Sequence, residues 1–303
     1  MAGIPFVKNI DFTPGVADVV LPGVRRVIAD NPGPFTYTGS GTYIIGEGEV
    51  AVIDPGPDSP AHIDALMKTL GGESVSHILI THTHLDHCGG ARAFADRCGA
   101  PILAFGAHPV RKRENDAPAL DEGADYAFAP DKTIADGAVI EGPDWRIEAV
   151  HTPGHLSNHL CFALPRRKAL FTGDHMMGWA TTVVAPPDGD MDAYLKSLDV
   201  LLARDDEIYL PTHGAPIENP HRFVRAVKTH RLMRDAQILE QLKKGRTRIK
   251  DMVAAMYADI DKRLHGAAAL NVLAHLIRLV RIGTVAWDGE PTLQSEYAVI
   301  AVD

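Results

Sequence analysis

Cysteine is scarce in this sequence and long apolar runs are missing, and each absence excludes a class of protein. Only 3 cysteines occur among 303 residues, too few and too unevenly spaced for a disulfide framework, which agrees with a reducing compartment. No apolar stretch reaches the roughly eighteen residues that span a bilayer, and the first residues lack the basic cluster and apolar run of a signal peptide. We therefore expect a cytoplasmic protein, or one of an organelle matrix, without a membrane contact or an obligate protein partner.

Acidic residues outnumber basic ones, 39 to 30, but the excess is unevenly distributed. From Asn219 to the C-terminus, 14 Lys and Arg face 9 Asp and Glu, a surplus of +5, so that residues 1–218 hold the remaining 16 and 30, a net −14. Such an asymmetry indicates either a nucleic-acid contact on the basic part or an amphipathic helical segment that solvates one face with Lys and Arg. We prefer the second interpretation, which requires no partner.

The first two-thirds of the chain have the pattern of short strands punctuated by glycine and proline. Tyr43–Ile45 and Val50–Ile53 are apolar β-formers joined by Gly46-Glu47-Gly48, which predicts a hairpin. Helices are predicted at Ala61–Leu70 and Met191–Ala203. Because strands and helices mix without strict alternation, the pattern favours an α+β fold with a layered αββα arrangement.

After Pro216 the pattern becomes helical. Helices are predicted at His221–Leu242, Ile249–Tyr257 and Ala267–Val280, followed by two strands around a DGEP turn. Three helices and a hairpin are typical of a winged-helix module. We therefore expect two domains, residues 1–218 and a winged-helix-like domain of residues 219–303.

The segment THTHLDHCGG concentrates side chains that bind metals. His82, His84, Asp86 and His87 fall within six residues on a loop that leaves a predicted strand. Imidazole and carboxylate without thiolate suit a catalytic zinc-type site that keeps an open position. The alternative is a loop whose histidines only hydrogen-bond, but it does not account for four such side chains at this spacing.

Three further candidate ligands each follow a predicted apolar strand. His155 lies in TPGH, Asp174 in TGD and His213 in PTHG, where loops at strand ends converge on one edge of a fold. In this order the motifs resemble those of the metallo-β-lactamase superfamily, which begin with an aspartate after an early strand, here Asp54 in VIDPGP, and end with a histidine. The matching motifs span residues 54–213.

The resemblance implies that the first domain is catalytic and holds two metals. The implied ligands are His82, His84 and His155 for one metal, Asp86, His87 and His213 for the other, with Asp174 bridging and Asp54 in a supporting role. Two metals roughly 3.5–4 Å apart can share a hydroxide and lower its pKa to about 7, and Asp86 is also expected to orient that nucleophile. Flavo-diiron proteins of this fold carry glutamate where His84 stands, and an imidazole there favours zinc, although manganese or iron occupy similar sites.

Within that superfamily, residues 173–202, the segment PTHGAPI and the helical tail resemble the β-lactamase-like protein 2 family, which has an appended winged-helix-like domain. Its known members include an endoribonuclease that acts on single-stranded RNA. Two positions beside ligands depart from the family pattern: Thr212 replaces a common glycine, and His175 replaces a small or sulfur-containing residue. A substrate is therefore not carried over from the family.

Other residues near the motifs have two interpretations each. His159, often a histidine in that family, either donates a proton to a leaving group or orients a phosphate, or packs as a hydrogen-bonded histidine. His175 is a candidate for supporting a ligand. Cys88 is expected to pack rather than to bind metal, because the histidines already fill the sites. Met176, Met177 and Trp179 line the pocket or belong to the core.

These observations predict a metal-dependent hydrolase, for which two substrate classes are considered, and leave a protein without enzymatic activity as a third alternative. The first, which we carry forward, is a dinuclear zinc endonuclease that cleaves single-stranded RNA, whose phosphates the basic tail would attract. The second is a hydrolase of small-molecule esters, thioesters or lactones of the glyoxalase II type. The third is a nucleic-acid-binding regulator with a structural metal site. Against the third, the predicted recognition helix ALNVLAHLIRLV offers only His275 and Arg278 to base edges.

Overall fold

Two β-sheets pack face to face, with helices outside them and a smaller helical domain after them, in a computed structural model that describes residues 3–109, 123–259 and 261–300. The first sheet has seven strands in chain order. They are β1 (Ala17–Leu21), β2 (Val24–Ile28), β3 (Gly41–Ile45), β4 (Glu49–Ile53), β5 (Ser74–Leu79), β6 (Ile102–Ala104) and β7 (Lys132–Thr133). The first four pair antiparallel and the last three continue in parallel. The predicted hairpin is confirmed as β3 and β4.

Strands β1 and β2 are absent from the sequence-based prediction because two arginines interrupt the apolar pattern of β2. Arg26 is nevertheless buried, 4% exposed. Its guanidinium lies 2.9 Å from Asp18 Oδ2 and donates to the carbonyl of Gly214. The arginine is thus part of the sheet's packing because its charge is matched where it is buried.

The second sheet has five strands and carries the remaining candidate ligands at its edge. The strands are β8 (Val139–Glu141), β9 (Arg146–His151), β10 (Leu160–Leu164), β11 (Ala169–Gly173) and β12 (Ile208–Pro211). Their spatial order is β12-β11-β10-β9-β8, antiparallel except for the parallel pair β11 and β12. Strands β11 and β12 therefore end at the same edge.

In the described residues of this layered part, four α-helices lie outside the sheets. They are α1 (Pro60–Leu70), α2 (Leu85–Cys88), α3 (Ala91–Cys98) and α4 (Met191–Leu202). Leu66 and Phe94 of α1 and α3 pack on the first sheet, and Tyr194 of α4 packs on the second. Tyr43 and Phe162 belong to the core between the sheets. The αββα arrangement predicted from the sequence is confirmed.

The C-terminal part contains three helices and a hairpin, as a winged-helix domain does. Its elements are α5 (Pro220–Lys243), α6 (Ile249–Met256), α7 (His265–Arg281), β13 (Val285–Trp287) and β14 (Tyr297–Val299). Helix α5 contributes to two cores: Phe223 and Val227 pack with α4, whereas Ile238 and Leu242 pack with α6 and α7. Because α5 is shared in this way, a domain boundary near residue 218 stays a prediction.

Helix α7, the predicted recognition helix, faces inward. His275 is fully buried, and its Nδ1 lies 2.7 Å from Asp235 Oδ1. Arg278 donates to the other oxygen of Asp235, also at 2.7 Å. The two side chains that a base-reading role would need are therefore occupied inside the protein. In the described ranges, no helix has the length and apolar character needed to cross a membrane.

Candidate metal centre

The seven predicted metal ligands converge on one edge of the two sheets. His82 and His84 follow β5, and Asp86 and His87 lie on α2. The other three follow strands of the second sheet. These are His155 after β9, Asp174 after β11 and His213 after β12.

The short helix α2 explains how neighbouring ligands can face different ways. His84 caps the helix in an extended conformation (φ −76°, ψ 143°), and the chain then turns helical from Leu85. Leu85 is 40% exposed, whereas Asp86 and His87 are buried. The change of backbone conformation at His84 therefore separates the side chains before it from those after it.

One group of nitrogens meets at the end of β5. His82 Nε2 lies 2.9 Å from His84 Nδ1, and His155 Nε2 lies 3.1 Å from the same atom. Asp174 Oδ2 lies 3.8 Å from His155 Nε2. One ligand atom from each of these four buried residues lies within 4.8 Å of the others.

A second group meets beside the first. Asp86 Oδ2 lies 3.4 Å from His87 Nε2 and 3.1 Å from His213 Nε2. Asp174 Oδ1 lies 3.4 Å and 3.3 Å from the same two nitrogens. Asp174 thus directs one oxygen toward each group.

The nitrogen and oxygen atoms of the two clusters are better suited to binding divalent cations than to hydrogen-bonding with one another. His87 Nε2 and Asp174 Oδ1 are buried and have no hydrogen-bond partner among the described residues, although they lie 3.4 Å apart. A buried polar atom without a partner costs free energy, and adjacent imidazole nitrogens repel unless a proton or a metal lies between them. Nitrogen and oxygen donors without thiolate suit the catalytic type of zinc site and its relatives. Two His/Asp clusters that can hold divalent metals are therefore present.

Hydrogen bonds to the far nitrogens fix three of these imidazoles. His155 Nδ1 faces the carbonyl of Val183 at 2.7 Å, and His213 Nδ1 faces the carbonyl of Gly39 at 3.1 Å. His87 Nδ1 lies 2.8 Å from Asp54 Oδ2. A carbonyl or carboxylate acceptor keeps the proton on Nδ1 and leaves Nε2 free to bind a metal.

Asp54, for which the resemblance implies a supporting role, makes its hydrogen bonds with Thr81 and His87. Its Oδ1 accepts from the Thr81 amide at 2.8 Å, and its Oδ2 accepts from the Thr81 hydroxyl at 2.7 Å. The same Oδ2 faces His87, so that both oxygens are used away from the two clusters. The carboxylate thereby ties the end of β5 to α2.

His159 uses both of its ring nitrogens within the protein. Nδ1 lies 2.9 Å from Thr152 Oγ1, and Nε2 accepts from the Asp174 amide at 3.2 Å. This favours the packing interpretation over the proton donor, because no ring proton is left for a leaving group. Gly173 (φ +48°) makes the approach possible, since a Cβ there would lie 2.7 Å from His159 Nε2. Burial lowers the pKa of His159 well below its usual value.

His175 does not support a ligand by hydrogen bonding. Both of its ring nitrogens are buried without a partner in the part of the chain that the structure describes. Its ring packs on Tyr194, with centroids 4.7 Å apart, and burial lowers its pKa to about 3. Cys88 packs in the core of the first sheet, as expected.

The two clusters shift the pKa values of their histidines in opposite directions. Burial opposes ionisation of Asp86 and Asp174, but nearby histidines, His87 and His213 foremost, outweigh it and hold the pKa of both carboxyls below the usual range. Burial likewise opposes a charge on His87 and His213, yet the facing carboxylates raise the pKa of both. For His82, burial and the neighbouring imidazoles all lower the pKa. In the second cluster, the two carboxylates therefore favour a positive charge beside them, on a proton or on a bound cation, whereas the environment of His82 in the first cluster disfavours a protonated imidazole.

A cavity of about 460 Å³ opens onto both clusters. Ligands His84, Asp86, His155, Asp174 and His213 form its floor. The rest of the wall is mainly apolar or aromatic: Gly33, Pro34, Phe35, Leu156, Met177, Trp179, Ala180, Thr181, Thr182, Val183, Ala185, Tyr257, Leu264, Ala267, Ala268 and Asn271. None of these residues is Lys or Arg. The Trp179 indole stacks on Tyr37, with centroids 4.7 Å apart and planes at 8°.

The sequence motifs did not reveal the carbonyls and hydroxyls that hold the ligands, or most of the wall of the cavity. Of the three pocket candidates, Met177 and Trp179 line the cavity, whereas Met176 packs in the core beside the second sheet. Ser40 donates to Asp86 Oδ2 at 3.0 Å, and Thr182 Oγ1 lies 3.2 Å from His155 Nδ1. Tyr257, Leu264 and Asn271 come from the C-terminal domain. Ser40 and Thr182 are common residue types outside any motif, so the sequence does not indicate their contacts with the ligands. Thr81 directly precedes His82, and that position could have suggested a supporting role.

Comparisons with known proteins agree with the fold and the site. Residues 37–213 match the metallo-beta-lactamase superfamily, and residues 249–292 match the beta-lactamase associated winged helix domain. The chain is 30% identical to an atrochrysone carboxyl ACP thioesterase of Aspergillus novofumigatus, over 91% of this chain and 84% of that protein. It is 32% identical to an atrochrysone carboxyl ACP thioesterase of Cryptosporiopsis sp., over 91% of this chain and 85% of that protein. A beta-lactamase domain protein from Burkholderia ambifaria has the same fold, with a TM-score of 0.77 at 19% identity over 96% of both chains.

Proposed function

This chain belongs to the metallo-beta-lactamase superfamily of hydrolases, and from that premise we propose that it hydrolyses thioesters of a bulky apolar acyl group. The proposal takes up the second of the alternatives that the sequence left open. The observation that carries it is the cavity above the metal centre.

The cavity has the size and lining of a small-molecule site. Its volume of about 460 Å³ falls within the range of roughly 300–1,000 Å³ that is typical of such sites. Phe35, Leu156 and Trp179 would bury the apolar surface of an acyl group, which is favourable by roughly 25 cal/mol per Å². A polyanionic strand would instead need cations along its path, and none of the described residues that line the cavity is Lys or Arg.

The relatives support the same choice. Two of them that align with 91% of this chain are named thioesterases that act on a carboxyl group carried by an acyl carrier protein. The thiol half of such a substrate lies at the end of a long flexible arm, so that the carrier itself need not enter the cavity. A thioester of a large acyl group therefore fits both the relatives and the wall.

The basic residues that supported the RNA hypothesis lie outside the cavity. Lys244 pairs with Glu240, and Arg248 pairs with Glu296, all of them exposed side chains. Arg246 donates to a neighbouring glutamine. Their charges are thus partly matched within the domain, and the RNA hypothesis loses the feature on which it rested.

We further propose ligand sets for two divalent ions, most simply zinc. The sets are His82, His84 and His155 for one ion and Asp86, His87 and His213 for the other, with Asp174 between them. Two ions so held would lower the pKa of a shared water to about 7 and polarise the thioester carbonyl. Zinc is favoured because every donor is imidazole or carboxylate and His84 supplies nitrogen where iron-binding relatives of the fold carry oxygen.

The chain's own residues would bind and orient the reactants. Asp86 Oδ2 accepts from Ser40 at 3.0 Å, which leaves Oδ1 to accept a hydrogen bond from the attacking water. The apolar wall holds the acyl group and excludes other water from the carbonyl. Attack forms a carbon–oxygen bond and breaks the carbon–sulfur bond, which releases a carboxylate and a thiol.

A substrate panel tests the proposal. Protein of known metal content would be offered the naphthoyl and acetyl thioesters of N-acetylcysteamine, a lactone, single-stranded RNA, a chromogenic bis-phosphodiester and a cephalosporin. We expect the naphthoyl thioester to give the highest kcat/KM, and the acetyl thioester to be poorer by at least about tenfold because it buries less apolar area. Efficient RNA cleavage, or no hydrolysis of either thioester by metal-loaded protein, would refute the proposal.

A further inference from the structure

Asn271 is an amide in the otherwise apolar wall that the C-terminal domain contributes to the cavity. It lies on α7, and its neighbours in that wall are Leu264, Ala267, Ala268 and the aromatic Tyr257. An amide in such a wall is costly unless its donors and acceptor are used. The contacts around Asn271 indicate where its side-chain oxygen and nitrogen lie.

The oxygen of Asn271 faces a buried arginine. Arg231 of α5 is fully buried, and its Nη1 lies 3.5 Å from Asn271 Oδ1, at the long limit of a hydrogen bond. Its Nη2 donates to the carbonyl of Thr182 at 2.6 Å. A guanidinium has donors only, so the Asn271 amide must present its oxygen to Arg231.

The amide nitrogen of Asn271 is therefore left for the cavity. Among the residues that the structure describes, the hydrogen bond found for the Asn271 side chain is the one that its oxygen accepts from Arg231, and the side chain lines the cavity. Arg231 holds the oxygen side, and its own position is set by Thr182 and by the Tyr194 ring, 5.2 Å from the guanidinium carbon. The contact with Arg231 thus turns the two N–H donors away from the guanidinium.

We infer that Asn271 is a specificity-determining residue that donates a hydrogen bond to a carbonyl or hydroxyl oxygen of the acyl group. The inference rests on the proposed function for the acyl nature of the ligand. A site built to hydrogen-bond a ligand oxygen discriminates against the analogue without it, because the donor is otherwise left unpaired. The favoured acyl group is thus flat and apolar, to match Phe35 and Trp179, and carries an oxygen that reaches α7.

Binding of two unreactive ligands of one shape tests the inference without relying on hydrolysis. The pair is 2-acetylnaphthalene and 2-isopropenylnaphthalene, which differ in an oxygen against a methylene group. We expect the metal-loaded protein to bind the ketone about tenfold more tightly, the value of one net hydrogen bond. Equal affinities in the wild type would overturn the inference.

The variant Asn271→Asp separates a donor from a merely structural amide. Aspartate keeps the shape and keeps an oxygen against Arg231, but it has no N–H and repels a ligand oxygen. We expect the preference for the ketone to fall to within about twofold, with the thermal unfolding midpoint retained. Asn271→Ala also removes the donor and serves if the aspartate variant does not fold. A retained preference in the folded variants would contradict the inference.

A matched control comes from the same domain. Gln237 is an exposed amide on α5 whose Oε1 accepts from Arg234 at 2.7 Å, outside the cavity. Gln237→Glu makes the same amide-to-acid change beside an arginine and should keep the tenfold preference. If the ketone preference is present but neither thioester is hydrolysed, the proposed function fails and the assignment of Asn271 stands.

Discussion

The metal centre and the C-terminal domain both bury imidazoles against carboxylates, but only one of them balances its charges with its own side chains. In the C-terminal domain, Asp235 takes Arg278 on one oxygen and His275 on the other, each at 2.7 Å. Burial lowers the pKa of His275, which keeps it neutral beside that ion pair. One carboxylate is thus matched by one arginine.

The metal centre has no such match. His87 and His213 each face both Asp86 and Asp174, at distances of 3.1–3.4 Å. Within residues 3–109, 123–259 and 261–300, no Lys or Arg lines the cavity. Either protons on the imidazoles or bound cations must therefore compensate the two carboxylates, since a buried uncompensated charge is strongly unfavourable. Burial of a histidine beside an aspartate does not by itself indicate a metal site. The indication comes from two buried carboxylates that lack an arginine or lysine partner of the kind that Arg278 provides for Asp235.

Removal of the metals should expose this difference most strongly. Without metal, the raised pKa of His87 and His213 adds stability that is complete below about pH 6.5 and is lost as the pH rises through the raised values. The depressed pKa of Asp86 and Asp174 adds stability that is present above about pH 4 and is lost on further acidification. The chelated protein should therefore be most stable near pH 5–6.

Metal binding has the opposite dependence, because it requires deprotonated ligands and so strengthens as the pH rises. With free metal at about a thousand times its Kd, binding adds ~4 kcal/mol, which corresponds to a shift in unfolding temperature on the order of 10 °C. We expect chelation to lower the unfolding temperature by that amount at pH 8 and by much less at pH 5.5. Thermal unfolding with and without chelator measures this, and identical curves at both pH values would contradict a metal centre.

Substitution of one histidine in each region comes next in size. His213→Ala should reduce the metal content from two ions to one per chain and lower thioester turnover by at least about a hundredfold. His275→Ala, the matched change in the C-terminal domain, should leave two ions bound, because Asp235 keeps Arg278 as its partner. Elemental analysis and steady-state kinetics measure both effects. Equal metal content in the two variants would remove the distinction between the regions.

A smaller effect is expected from Asp54, which touches the metal centre only through other residues. Asp54→Asn keeps an oxygen for the Thr81 amide, but it weakens the hold on His87 Nδ1, 2.8 Å away. Loss of such a partner typically costs about 10–100-fold in metal affinity or activity. Competition with a chromogenic chelator measures the affinity. An unchanged affinity would mean that Asp54 only ties β5 to α2.

The sequence alone was enough to predict candidate metal ligands where several metal-binding side chains lie close together. His82, His84, Asp86 and His87 within six residues have few structural explanations, and the apolar strands before His155 and the later ligands indicated their common edge. The αββα layers followed from mixed strands and helices with clear glycine boundaries, such as Gly71 after α1. Local pattern and local chemistry were enough in these cases.

The rest depends on contacts between distant segments, which spacing does not encode. Strand β2 was hidden because Arg26 finds its partners only after folding, in Asp18 and the carbonyl of Gly214. The cavity wall needs Phe35 and Asn271, far apart in sequence, to meet beside the ligands. The surplus of +5 in residues 219–303 pointed to RNA, yet the net charge of a segment does not show which cations already have partners.

The smallest effect is expected from the basic side chains of the C-terminal domain, and it tests whether their charges matter for activity at the metal centre. The basic cluster consists of Lys243, Lys244, Arg246, Arg248 and Lys250, near the end of α5 and the start of α6. Reversal of all five charges should change kcat/KM for the naphthoyl thioester by less than about twofold, because surface charges outside a cavity contribute little at ordinary salt.

The same variant serves as a test for RNA. If the cluster binds phosphates, wild-type protein must bind single-stranded RNA with an affinity that falls steeply with salt, and the reversal must flatten that dependence because fewer counterions are released. We expect weak RNA binding in both proteins with no difference in salt dependence, since Lys244 and Arg248 already pair with Glu240 and Glu296. A steep wild-type dependence that the reversal abolishes would return the C-terminal domain to a role in nucleic-acid binding and leave the metal centre's assignment unaffected.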